Sequence, residues 1–217
     1  MDWIIKLVNV GKEFVLHHNQ GTRLPVLDDV CDEFRPEEAI CLCGPSGSGK
    51  TTILNMIGGR YRVNKGRILV HYNDRQFDMG SASPAELFYL LRHVIGFVGA
   101  SLKPIPRVST LDTVIEPMLA RKIDISKARK HGMKILSKVN IPENLWHLSP
   151  LTFSSGEQQR INIARGFIAP FPVMLLDEPY THLGKADQRI LADLMNQALN
   201  DGTCIISSFQ DYPDEIS

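Results

Sequence analysis

The sequence predicts an α/β fold, one domain with a mixed sheet core, an antiparallel β start and a helical subdomain. Three observations predict it. A short continuous apolar run, Ala39–Cys43, leads into a glycine-rich loop and then a stretch of helical character. Two more apolar runs, at 173–176 and 204–206, flank an amphipathic stretch at 185–200, the order of a βαβ unit with parallel strands. Between these features, 84–166 is dominated by helical patterning.

Taken in order, residues 3–8 and 12–16 read as strands, followed by a polar hairpin-like segment at 17–23. Residues 51–57 have helical character and stop at Gly58 and Gly59. Within the helical stretch the periodicity predicts helices over 85–94, 111–122, 126–139 and 156–166. No internal repeat or low-complexity tract interrupts this order.

The chain has 217 residues, of which 43% are hydrophobic, enough for one substantial core. Lys and Arg total 24 and Asp and Glu total 24, so bulk charge gives no reason to expect nucleic acid or an anionic membrane as partner. Any phosphate site must be local. No apolar run approaches the roughly 20 residues needed to span a bilayer, so no direct membrane insertion is expected. Asp2, Lys6 and Asn9 break any early signal-like run, which predicts a cytoplasmic location. Cys31, Cys41, Cys43 and Cys204 include no C-x-x-C pair and read as reduced packing residues.

Gly44, Pro45, Ser46, Gly47, Ser48, Gly49, Lys50 and Thr51 match G-x-x-x-x-G-K-S/T. In such a loop glycines let backbone amides curl around phosphates, and the next helix offers its positive N-terminus. Lys50 is then placed to neutralise the β- and γ-phosphates of ATP. Thr51 supplies a hydroxyl to Mg²⁺, and Thr52 adds a phosphate hydrogen bond. Asp177 and Glu178 close the apolar run at 173–176, where open parallel sheets bind ligands. Asp177 suits the metal, commonly through water, and Glu178 suits a general base acting on the attacking water. A third element, Ser154, Ser155, Gly156 and Glu157, places small residues before a helix whose first amides can receive a phosphate.

The loop, the serine–glycine segment with Gly156 21 residues before Asp177 (177 minus 156), and residues 175–179 together resemble the ATP-binding-cassette family. The resemblance spans nearly the whole chain. It implies a P-loop NTPase of the ATP-binding-cassette type over 1–217, with a helical subdomain at about 84–166. It also implies that two such domains pair head to tail, each ATP lying between one chain's phosphate loop and the other's serine–glycine segment. By the same resemblance Phe14 stacks on adenine.

A narrower resemblance rests on residues 24–27, 105–109, 145–150 and 157–168. These resemble the second cassette protein of the bacterial carbon-phosphorus lyase system for phosphonate use. That implies a subunit acting with a second cassette protein, or with itself as a head-to-tail dimer, beside a multi-subunit core that attaches methylphosphonate to a nucleoside triphosphate.

Four positions depart from the family pattern. Ala100 stands where a glutamine reaches Mg²⁺ and the attacking water, and Gln210 stands in the histidine position, able to hydrogen-bond the γ-phosphate without carrying its charge. Ser155 replaces the first glycine of the serine–glycine segment, and Gly184 ends a stretch where a leucine–aspartate pair is usual. Ala100 and Gln210 would act on this chain's own ATP, Ser155 and Gly184 on the partner's. The expectation is an ATPase with Glu178, Lys50 and Gln210 as its reacting groups and slow turnover. The alternatives are a nucleotide-gated assembly subunit that hardly hydrolyses ATP, and the ATPase of a membrane transporter.

Overall fold

The computed structural model describes residues 2–16 and 22–210. Two four-stranded sheets carry the fold. In the first, β1 (Ile5–Leu16) pairs antiparallel with β2 (Thr22–Phe34) and with β4 (Lys65–Tyr72), which pairs with β5 (Arg75–Asp78), in the order β2-β1-β4-β5. The antiparallel start is therefore present, but the stretches at 3–8 and 12–16 run into one strand. Its pairing with β2 slips between Leu7 and Glu13, and Asn9 takes a φ of 48°, so a bulge gives the sequence its two-part look. Of the hairpin-like segment, 17–21 lie outside the described residues, and Thr22 and Arg23 already belong to β2.

The second sheet is parallel, in the order β3-β8-β7-β6, from β3 (Ala39–Cys43), β6 (Ile95–Val98), β7 (Val173–Asp177) and β8 (Cys204–Phe209). Successive residues of β7 turn to opposite faces. Val173 and Leu175 pack with Ile5, Phe34, Ile68 and Leu54, whereas Met174 and Leu176 pack with Ile115, Leu136, Ile161 and Leu191. This sheet thus divides the interior into two cores, which explains why β7 is buried along its whole length.

α1 (Lys50–Ile57) follows the glycine-rich loop, and α6 (Lys185–Asn200) crosses from β7 to β8. α2 (Pro84–His93), α3 (Thr110–Ala120), α4 (Ile125–Lys138) and α5 (Ser155–Phe167) lie within a residue or two of the expected helices. The stretch 84–166 is not uniformly helical, however. β6 interrupts it, because four residues are too few for periodicity to distinguish a strand from helix.

The cysteines divide. Cys204 is fully buried, as a packing residue should be, but Cys31 and Cys43 are exposed and Cys41 is half-buried. Among the described residues β2 and β3 are edge strands, so apolar surroundings in sequence do not become burial there.

Candidate nucleotide site

β3 ends at Cys43, and the chain turns through Gly47 at φ 83° and Gly49 at φ 94° before α1 begins. Gly49 is the residue that starts this helix, in the left-handed region, and no side chain caps it. A Cβ there would lie 2.6 Å from Leu27 Cδ2, so both backbone angle and space require glycine. The first-turn amides of α1 consequently face outward with no intrahelical acceptor. Lys50 is only 8% exposed, and its Nζ donates to the Gly44 carbonyl at 2.6 Å, the Pro45 carbonyl at 2.8 Å and Ser48 Oγ at 3.4 Å. The ammonium is thereby held inside the loop.

The end of β7 brings the acidic pair beside this helix. Thr51 Oγ1 donates to Asp177 Oδ1 at 2.8 Å, across 126 residues of sequence, and Asp177 is 5% exposed. Ser208 Oγ donates to the same Oδ1 at 2.8 Å and accepts the Glu178 amide at 3.0 Å. β7 and β8 are in parallel register with Asp177 opposite Ser208, which is what closes this relay. Glu178 itself has φ 46°, a sparsely populated angle for a residue preceding proline. Gln210 Nε2 donates to Glu178 Oε1 at 3.2 Å, and the adjacent Phe209 ring lies 5.4 Å from that of Tyr180.

The serine–glycine segment starts α5 in a different way. Ser154 Oγ donates to Glu157 Oε2 at 2.7 Å, the Ser154 amide donates to the same oxygen at 2.9 Å, and the Glu157 amide donates back to Ser154 Oγ at 3.3 Å. This is a complete capping box. The Ser154 hydroxyl and amide hold the Glu157 carboxyl below the usual carboxylate range. Ser155 is exposed, and a Cβ on Gly156 would lie 3.0 Å from the His182 carbonyl, so this segment backs onto the loop after β7. Gln159 Nε2 donates to the Pro179 carbonyl at 3.2 Å and Asn162 Nδ2 to the Gly99 carbonyl at 2.7 Å. α5 is therefore tied both to the loop carrying Glu178 and to the loop carrying Ala100.

The protein-family model described as ABC transporter matches residues 27–181. The chain belongs to that family.

It is similar to the ABC transporter ATP-binding protein YtrE of Bacillus subtilis, 32% identical over 174 residues, 80% of this chain and 73% of that protein. It is also similar to the lipoprotein-releasing system ATP-binding protein LolD of Coxiella burnetii, 31% identical over 198 residues, 89% of this chain and 83% of that one. Among solved structures, the dimeric post-hydrolysis state of the ATP-binding cassette MJ0796 bound to ADP and Pi superposes with a TM-score of 0.86 at 26% identity, over 96% of this chain and 88% of that one. The fold is that of an ABC ATPase cassette, and the chain is an ATP-binding cassette subunit. The two relatives are named for transport and lipoprotein release, so they support the general cassette family and give no support to the narrower expectation of a phosphonate-system cassette.

Of the residues singled out from sequence, the cassette brings together Lys50 with Gly44, Pro45 and Ser48, Thr51 with Asp177, and Glu178 with Gln210. Phe14 and the 154–157 segment make their contacts elsewhere. Phe14 is half-buried, with the Tyr61 ring 5.4 Å from its own and Lys12 Nζ 5.1 Å from its centroid. Gly184 starts α6 with no side-chain cap, where an aspartate would supply one. Sequence reasoning misses Ser208, Gln159 and Asn162. Nothing local marks them, since each acts on a backbone or carboxylate group of another element.

Proposed function

We propose that the chain is the ATPase subunit of a membrane ABC transporter, acting as one nucleotide-binding domain over 1–217 with a helical subdomain at about 84–166. The juxtaposition of Thr51 Oγ1 with Asp177 Oδ1, beside the uncapped start of α1, carries this reading. A hydroxyl and a buried carboxylate are the hard oxygen donors that Mg²⁺ prefers, and the bare first turn of α1 suits phosphate oxygens. The residues therefore fit MgATP. Gly44 to Lys50 hold the phosphates, with Lys50 leaving its carbonyl partners for the β- and γ-oxygens. Thr51 and Asp177 hold Mg²⁺, Thr52 adds a phosphate contact, and Phe14 faces adenine. When bound, Mg²⁺ neutralises charge on the β- and γ-phosphates. Glu178 accepts a proton from the attacking water, and Gln210, already on that carboxylate, orients it toward the γ-phosphate. Ser154, Ser155, Gly156 and Glu157 receive the partner's nucleotide in a head-to-tail dimer.

Two features support a membrane subunit as partner. The relatives reported above are named as the ATP-binding proteins of an ABC transporter and of a lipoprotein-releasing system. A groove of about 410 Å³ between α2, α3 and β6 is rimmed by exposed Phe88 and Leu91 and carries Arg60, Arg92 and Arg165 against Glu116 alone. Apolar rim and excess positive charge suit a short acidic, amphipathic segment of such a subunit. Among the described residues no helix is long and apolar enough to cross a membrane, consistent with the cassette docking on a separate spanning subunit.

Removing one preorganised contact to a developing charge costs about 2.7–4 kcal/mol, so Ala100 and Gln210 together are expected to slow turnover by several orders of magnitude without abolishing binding. These departures favour a second reading, in which ATP binding gates assembly. Phosphate release by the wild type and by Glu178→Gln separates the two, with and without a partner cassette. Release well above the variant's supports the ATPase, and equal release in both leaves only the gate.

A further inference from the structure

The equal totals of 24 cations and 24 anions conceal a separation. α4 carries Lys127, Arg129, Lys130, Lys134 and Lys138 and no Asp or Glu, whereas β2 carries Asp28, Asp29, Asp32 and Glu33. Ala128, Ile135 and Leu136 anchor α4 in the core on one side of the parallel sheet, and Phe34 anchors β2 in the core on the other. The basic and acidic surfaces therefore lie on opposite sides of the molecule.

On α4 the four lysines recur at spacings of three and four residues, which puts them on one helix face, away from the buried Ala128, Gly132, Ile135 and Leu136. Arg129 is engaged by Asp112 at 3.3 Å, Lys138 Nζ donates to Gln197 Oε1 at 3.5 Å, and the capping Asp124 accepts the Ser126 and Lys127 amides. Lys127, Lys130 and Lys134 are exposed, and their ammonium groups have no ion-pair or hydrogen-bond partner among the described residues. Like charges three and four residues apart weaken a helix, and no acid within this helix offsets them. Ile125 and Met133, both exposed, stand beside these cations. The ends of α4 fix where it lies. Arg121, just ahead of it, donates to the Arg92 and Pro170 carbonyls, which precede β6 and β7, and Gln197 precedes β8. α4 thus runs along the end of the sheet where strands begin, whereas Asp177 and Glu178 stand where β7 finishes. The lysine face is not part of the nucleotide site.

We infer that the lysine face of α4 is a docking surface for an anionic phospholipid bilayer. A row of ammonium groups on long flexible stems, none of them fixed by a neighbour, matches a layer of mobile phosphate headgroups better than one partner of fixed shape. Ile125 and Met133 enter the headgroup layer beside the lysines, while the apolar face of α4 stays in the core, so the contact is superficial and nothing spans. With acidic β2 on the far side, the chain meets such a surface with its attractive side and keeps its repulsive side away. The groove proposed for a membrane subunit lies at the same end of the sheet, since Arg121 is bonded to Arg92, which lines it. A cassette seated on a spanning subunit therefore brings α4 near the bilayer, and only this last step rests on the transporter reading.

The test is sedimentation of the purified chain with vesicles of phosphatidylglycerol and phosphatidylcholine, and with vesicles of phosphatidylcholine alone. Binding is expected only to the anionic vesicles at about 0.1 M salt, and is lost at about 1 M, where the screening length falls from about 10 Å to about 3 Å. Each lysine near such a surface is worth roughly fivefold, so Lys130→Gln with Lys134→Gln should weaken vesicle binding roughly thirtyfold. Lys130→Arg with Lys134→Arg keeps the charge and should keep the binding. Arg35→Gln with Arg75→Gln removes the same charge from exposed positions beside the antiparallel sheet and should leave vesicle binding nearly unchanged. Both lysine variants should retain the wild-type ATP affinity. No sedimentation with anionic vesicles, equal binding to neutral ones, or an equal loss in the Arg35 and Arg75 variant overturns the proposal. Tighter binding to duplex DNA than to vesicles at equal phosphate overturns it in favour of nucleic acid. Salt-sensitive self-association that the glutamine variant abolishes overturns it in favour of the acidic strand of a second copy. Vesicle binding without ATP turnover keeps this surface and removes only the ATPase reading.

Discussion

α1 and α5 begin alike, after short runs of small residues, and each leaves its first amides without intrahelical acceptors. They resolve this in opposite ways. α1 starts on a left-handed glycine with no capping side chain and no acid in its first turn, whereas α5 is closed by Ser154 and Glu157. A bare start leaves amides for an external anion and gives up roughly 1 kcal/mol of capping. A capped start gains that stability but sets a carboxylate where a phosphate would approach. In the proposed dimer the α1 end is ready before nucleotide arrives, and the α5 end must first let go of Glu157. Receiving ATP at α5 is therefore an exchange of one anion for another.

The largest expected effect lies on the α1 side. Lys50→Ala removes a buried ammonium and should weaken ATP binding roughly a hundredfold or more in a calorimetric titration. Unchanged affinity would break the assignment of the open end. Gly49→Ala comes next: with φ at 94° and Leu27 Cδ2 2.6 Å from the new Cβ, denaturant unfolding should show a loss of about 1–3 kcal/mol. Gly156→Ala, whose Cβ meets the His182 carbonyl at 3.0 Å without a left-handed φ, should cost less. Equal losses would erase the difference between the two starts.

Ser154→Ala should cost about 1 kcal/mol, read as a lowered Tm, because it opens the capping box. The smallest effect is the acid dependence of that box. Ser154 lowers the Glu157 carboxyl below its usual range, so the stabilisation is complete above the ordinary glutamate value and is lost as pH falls through the lowered one. Acid unfolding of Glu157→Ala should thus differ from wild type near neutrality and converge with it at low pH. A gap that persists in acid would show that packing, not ionisation, holds the start of α5.

Much of this cassette is legible in the sequence. α6 falls at 185–200 as expected, because its periodic face is bounded on both sides by short, fully buried strands. β2 is not legible, since Pro25 and the acids at 28, 29, 32 and 33 give an edge strand exposed along most of its length. The β4–β5 hairpin is marked by Asn73 and Asp74, both at positive φ, a turn signal with little alternation around it. Gln210, which the family resemblance puts in the histidine position, donates to Glu178. Phe14 is seen in company with Lys12 and Tyr61, because β1 and the segment after α1 converge there.

The sequence by itself determined the groups whose neighbours are a few residues away. These are the glycines that turn the loop, the lysine folded back on its carbonyls, the acids at a strand end, and the serine and glutamate spaced to cap α5. Only the tertiary structure decided which distant groups meet. Thr51 and Ser208 share one oxygen of Asp177, and α5 reaches the loops after both β6 and β7. The physical reason is register. The alignment of β7 with β8 is set by packing two cores on either side of one sheet, and no local spacing encodes that.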